Sequence, residues 1–220
     1  MGASVAIQKI DDFDSAFGEL GAKVGPRTGR NKRTQDEKDW YVLRRYLQQA
    51  IAAKRFSVPV VVTRGSPPAP DFSLEHKRGS TLVEITEATN KADQREMTLG
   101  EIHDVPYLLG ELGGRFEGGG GEPGHLWACD ILDAVERKRS KSIFLLRNTD
   151  RHLVIYPNSN ASSLILDYDG ERRAFSILLG QIDAKRQELT KIVNGCLIHI
   201  LGKSYIFFNV LGRPLVRRRN

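Results

Sequence analysis

Cysteine is scarce: two in 220 residues, Cys129 and Cys196. That is too few for a disulfide scaffold and fits a reducing compartment. No apolar run reaches the roughly 20 residues that a membrane-spanning helix needs, and the N-terminus lacks the basic-then-apolar order of a signal peptide. The expectation is a cytoplasmic protein without a membrane partner. A phosphate-binding loop is absent, because Gly202-Lys203-Ser204 has no upstream glycine at the required spacing. There is no Gly-x-Ser-x-Gly elbow either. The histidines (His76, His103, His125, His152, His199) are dispersed, and the i,i+4 pair His125 and Cys129 has no second ligand pair, which argues against zinc. What is present is a 40% hydrophobic chain, enough for one sizeable core, and 33 basic against 27 acidic residues, net +6. That balance favours a polyanionic partner, nucleic acid above all.

The most informative stretch is PDFSLEHKRGSTLVEITEAT, Pro70 to Thr89. Phe72 and Leu74 alternate with polar residues, Lys77-Arg78-Gly79-Ser80 is turn chemistry, and Leu82 to Ala88 is β-branched and apolar, so the stretch reads as a hairpin. Strand side chains alternate between faces. Glu84 and Thr86 therefore share a side with Leu82, and Val83 and Ile85 take the other. A carboxylate within an apolar strand is costly unless partnered. A second acid, Asp71, begins the preceding strand, and closure of the hairpin brings the two to one end of the sheet. Two nearby carboxylates repel unless a proton or cation lies between them, and hard oxygen donors suit a hard divalent ion.

Pro70-Asp71, a hairpin, then Glu84-Ile85-Thr86 resembles the signature of the PD-(D/E)XK nuclease superfamily. The resemblance implies an α/β restriction-endonuclease-like core, a mixed central sheet flanked by helices, over about residues 34 to 156. It implies a metal-dependent nuclease that hydrolyses DNA phosphodiesters. Asp71, Glu84 and the main-chain carbonyl of Ile85 would hold Mg²⁺ or Mn²⁺. The sequence departs from the family at the lysine position, which Thr86 occupies; Thr86 would hydrogen-bond the attacking water. Losing one preorganised donor typically costs about 10²–10³ in rate. The same departure also fits a nuclease fold that has lost its chemistry and serves as a DNA-binding or assembly module.

The flanking segments supply the other candidates. Residues 1–33 read as a basic N-terminal extension, with a short amphipathic helix near Phe13, Phe17 and Leu20. After it comes a Gly-rich basic arm containing Arg30 and Arg33, either a solvated linker or a contact to phosphates. Residues 34–220 read as a single domain. Thr34-Gln35-Asp36-Glu37 is a capping box, and Trp40, Leu43, Tyr46, Leu47, Ala50 and Ile51 recur at helical spacing over about residues 35–54. The superfamily often places a helix acid beside the metal, which makes Glu37 a candidate, although capping alone accounts for it. Ser57 to Thr63 is a strand. A Gly-rich loop spans 113–124, and His125 to Lys141 is a second helix ending in Arg137, Lys138, Arg139 and Lys141. That basic cluster complements the helix dipole. By the resemblance, Lys138 first and Lys141 second would supply the missing positive charge, and with Arg137 would contact nucleic acid. Ser142–Leu146 and His152–Tyr156 read as strands, Phe175–Val193 as a helix, and Cys196–Val210 as a closing hairpin. The tail from Arg213 is a disordered end or a phosphate contact. A homodimer, or a protein partner in a larger system, is compatible with these readings.

Overall fold

A computed structural model describes residues 3–20, 34–89, 123–146, 148–157, 168–202, 205–211 and 215–218. In chain order the elements are β1 (Ser4–Ile7), α1 (Phe13–Phe17), α2 (Gln35–Ala52), β2 (Val60–Arg64), β3 (Phe72–His76) and β4 (Gly79–Ala88). Then come α3 (Pro123–Arg137), α4 (Ser142–Leu145), β5 (Asp150–Pro157), α5 (Tyr168–Ala184), α6 (Arg186–Val193), β6 (Leu197–Leu201), β7 (Tyr205–Phe208) and β8 (Leu215–Arg218). The strands form one open sheet in sequence order. β4, β5 and β6 pair in parallel, and all other neighbours pair antiparallel. The α/β class and the mixed sheet between helices agree with the sequence reading.

Period-2 alternation sorts the strand side chains into two cores. Val60, Val62, Phe72, Leu74, Val83, Ile85 and Val154 pack with Trp40, Leu43, Tyr46 and Leu47 of α2. On the other face Ala88, Leu153, Ile155, Ile198 and Ile200 pack with α3, α5 and α6 through Trp127, Ile131, Phe175, Leu178 and Ile192. α2 begins as its sequence demands. The Glu37 amide donates to Thr34 Oγ1 at 3.1 Å, and the Thr34 amide donates to Glu37 Oε2 at 2.7 Å. The hairpin closes at the pair His76–Gly79, where Gly79 takes a positive φ of 129° that suits a residue without Cβ.

Four segments differ from the sequence reading. Residues 4–17 are integrated rather than appended: β1 pairs with β2, and Phe13 and Phe17 are buried against Trp40. Pro59 therefore precedes an interior strand. Ser142–Leu145 is a helical turn rather than a strand, with Ile143 and Phe144 both buried. The predicted helix at Phe175–Val193 is two, interrupted at Lys185. Leu215–Arg218 is a strand on β7, not a loose tail. The Gly-rich loop to residue 122, the polar stretch 90–112, and the arm with Arg30 and Arg33 lie outside the described residues.

Leu47 has no exposed surface, so Leu47→Ala should cost about 2–5 kcal/mol in chemical denaturation, through lost burial and a residual cavity. Thr34→Ala should cost about 1 kcal/mol through the lost cap.

Candidate active site

The candidate site lies at the rim where β2 finishes, β3 starts and β4 runs on past β3, paired there with β5 alone. β3 begins at Phe72, which pairs with Val83, so Asp71 comes next to Glu84 just beyond the ladder. β4 continues to Ala88 without its antiparallel neighbour. The Ile85 amide thus has no strand to donate to on that side, and Asp71 Oδ2 accepts it at 2.8 Å. The Asp71 main chain is fixed as well. Its carbonyl accepts from the Gly65 amide at 2.8 Å and from Arg64 Nη1 at 3.3 Å. A Cβ on Gly65 would stand 2.0 Å from the Pro70 carbonyl oxygen, so the loop returns to Asp71 by a path only glycine permits.

Glu84 lies on the α3 face, as its alternation with Val83 and Ile85 requires. Its side chain is 8% exposed, and its Oε1 accepts from Lys138 Nζ at 2.6 Å. Lys138 follows the last turn of α3 and is 17% exposed. A buried carboxylate without that ammonium would carry a large desolvation penalty. Thr86, two residues on, is buried on the same face. Arg137 Nη2 donates to the Glu87 carbonyl at 3.0 Å, and Lys38 Nζ stands 3.8 Å from Glu87 Oε2. Lys141 is exposed.

Of the residues singled out from the sequence, Asp71, Glu84, Ile85, Thr86, Arg137 and Lys138 are gathered at this rim. Glu37 holds the start of α2, where its Oε2 accepts from the Thr34 amide and hydroxyl at 2.7 and 3.0 Å. The acids of α2 that do reach the rim are Asp36 and Asp39, one turn apart on one helix face. Both meet Arg64, Asp36 Oδ1 at 3.0 Å from Nε and Asp39 Oδ2 at 2.6 Å from Nη2. Asp39 is buried. Burial raises its pKa above the usual carboxylate value, the Arg64 hydrogen bond opposes the rise, and the Asp71 charge adds to it. Sequence pattern alone does not single out Arg64 or Asp39; the i,i+3 spacing of Asp36 and Asp39 was the available signal.

Side-chain and main-chain oxygen donors at this rim suit Mg²⁺ or Mn²⁺ in kind. Among the described residues, no three His, Cys, Asp or Glu side chains form a metal-binding group. Asp71 and Glu84 are two carboxylates, short of such a group. The second oxygens, Asp71 Oδ1 and Glu84 Oε2, are those a cation would take.

A second polar cluster lies beneath α2, at the amino ends of β4 and β5. Strands far apart in sequence bring His76, His152 and His199 together there, with His152 and His199 ring centroids 4.6 Å apart. The Tyr46 hydroxyl and His152 Nδ1 are 2.7 Å apart, and His152 Nε2 is 3.4 Å from Asp150 Oδ1. Thr81 Oγ1 donates to Asp150 Oδ2 at 2.6 Å, so the 3.0 Å contact between His76 and Thr81 has the imidazole as donor. The His152 hydrogen bond, with that from Thr81, lowers the Asp150 pKa to about 2. Burial drives His199 well below the ordinary histidine value and raises the Tyr46 hydroxyl well above its own. Neutral His199 accepts from the Asn209 amide at 3.1 Å through Nδ1.

Comparison of the chain with protein-family models, with curated proteins and with solved structures returned no match in any of the three. Among the described residues no helix is long and apolar enough to cross a membrane.

The Asp150 carboxyl is held below its ordinary value of 3.8, so folding is favoured while it is ionised. That stabilisation is complete above about pH 4 and is lost as pH falls towards about 2. Urea midpoints across this window should fall more steeply for the wild type than for Asp150→Asn.

Proposed function

We propose that the chain is a cytoplasmic, metal-dependent nuclease of restriction-endonuclease-like fold that hydrolyses DNA phosphodiesters. One observation carries the reading: the Asp71 carboxylate is seated on the Ile85 amide, one residue on from Glu84. The element order α2, β2–β3–β4, α3, β5 supports it, since this is the order the superfamily core would have.

The chain's own groups divide the work. Asp71 and Glu84, with the Ile85 carbonyl, bind and orient. In a strand a residue's N–H and C=O point to the same side, so the Ile85 carbonyl points towards the side where Asp71 takes its amide. Lys138, just past the end of α3, meets Glu84, and it would supply the charge of the family's lysine, whose position Thr86 fills in β4. Its ammonium offsets charge developing on the phosphate. Thr86 holds a water through its hydroxyl. Arg137 and Lys141 meet the phosphate backbone without reading sequence. Held by Asp71 and Glu84, Mg²⁺ or Mn²⁺ would supply Lewis-acid polarisation of the phosphate and a lowered pKa for the attacking water.

A second reading is a nuclease-fold module without chemistry that binds DNA or joins an assembly. The 2.6 Å Lys138–Glu84 pair favours it, because an internal ammonium neutralises the acid that a cation needs.

The readings separate on one protein. A nuclease nicks or linearises plasmid DNA in Mg²⁺ or Mn²⁺. Asp71→Ala and Glu84→Ala each lower the rate at least about a hundredfold. Mn²⁺ raises the wild-type melting temperature by mass action, about 2.7 kcal/mol of stabilisation at a hundredfold excess over Kd. Cleavage that persists in both variants removes this site. DNA binding with neither cleavage nor Mn²⁺ response selects the module.

A further inference from the structure

Arg64 lies on the Phe72 ring, 4.5 Å from its centroid, and is surrounded by three acids. Its shortest contact is Nη2 to Asp39 Oδ2 at 2.6 Å, its next Nε to Asp36 Oδ1 at 3.0 Å. Asp71 Oδ1 is the farthest acid, at 3.9 Å, beyond hydrogen-bonding distance. Asp39 is itself held in place, since Gln35 Nε2 donates to its other oxygen at 2.7 Å. The 4% exposed Asp39 side chain makes that ion pair the least solvent-screened of the three. A guanidinium is a planar fork that matches a carboxylate with two parallel bonds. Turned towards Asp71, it would neutralise the acid that the nuclease reading assigns to a cation.

We propose that Asp39 is a positioning residue: by engaging Arg64 from α2, it keeps the guanidinium off the Asp71 carboxylate and leaves Asp71 able to take a divalent cation. The proposal rests on the nuclease reading of Asp71. The two acids of α2, Asp36 and Asp39, outnumber the one arginine they hold. The coupling reaches across the rim, for the Asp71 charge is felt at Asp39.

The test is Mn²⁺ affinity of the full chain, read from the loss of the free-ion electron paramagnetic resonance signal, with circular dichroism to confirm folding. Asp39→Asn frees Arg64 and should weaken Mn²⁺ binding about tenfold, the effect of one nearby unit charge at partial screening. Arg64→Gln should tighten it about threefold, and Asp39→Asn with Arg64→Gln should return it to within about threefold of wild type. A merely structural Asp39 predicts otherwise, because the double variant loses the same α2–β2 tie and would bind as weakly as the single one. Wild-type affinity in Asp39→Asn, or no recovery in the double variant, overturns the proposal. Should Asp39→Asn fail to fold, Arg64→Gln decides alone: tightening supports the proposal, and unchanged or weaker binding overturns it. A wild type that binds no Mn²⁺, or an Asp71→Asn variant that binds as well as wild type, overturns the nuclease reading together with this inference. Binding abolished by Asp71→Asn yet indifferent to Asp39→Asn overturns this inference alone.

Discussion

A strand that outruns its antiparallel neighbour must place its main-chain donors somewhere. β4 is ten residues long and β3 five, and beyond Val83 the β3 side of β4 faces no ladder. The Asp71 carboxylate fills the gap by accepting the Ile85 amide. That single hydrogen bond ties the first acid to the strand bearing the second. β4 is also the strand where the antiparallel pairing of β1 to β4 gives way to the parallel pairing of β4 to β6. The polar rim exists because the two kinds of pairing meet on one strand of unequal length.

Charge is handled differently at the two ends of that strand. At the Asp71 end, acids are met by cations: Lys138 on Glu84, Arg64 on Asp36 and Asp39, Lys38 near Glu87. At the amino end, where Thr81 pairs with Asp150, one carboxylate is satisfied by neutral groups and a histidine, and burial keeps His199 uncharged. The first arrangement leaves charges within reach of solvent and of a ligand. The second is a closed network under α2 that fixes helix to sheet through Tyr46 and His152.

The parts legible in sequence were those carried by local period and local chemistry. The capping box at Thr34 and Glu37, the apolar stripe of α2, the turn chemistry within Lys77 to Ser80 and the alternation around Glu84 each depend on residues close in sequence. Arg64 escaped because its meaning is tertiary: a strand-end arginine looks ordinary until α2 lays Asp36 and Asp39 over it. The same holds for His76, His152 and His199, which only strand register brings together. Ser142–Leu145 carries the apolar content of a strand, but the sheet position beside β4 belongs to β5, so it packs as a turn of helix. Lys138 was reachable from sequence only through the resemblance, since nothing in the helix pattern says which of four neighbouring cations meets Glu84.

The sheet is bounded on both sides by four-residue strands, β1 and β8. The second carries consecutive arginines, Arg217 and Arg218. An unpaired border strand is a template for another molecule's backbone, and brevity and like charge both discourage such docking. Self-association by continuing the sheet from one copy into the next is therefore disfavoured at either margin.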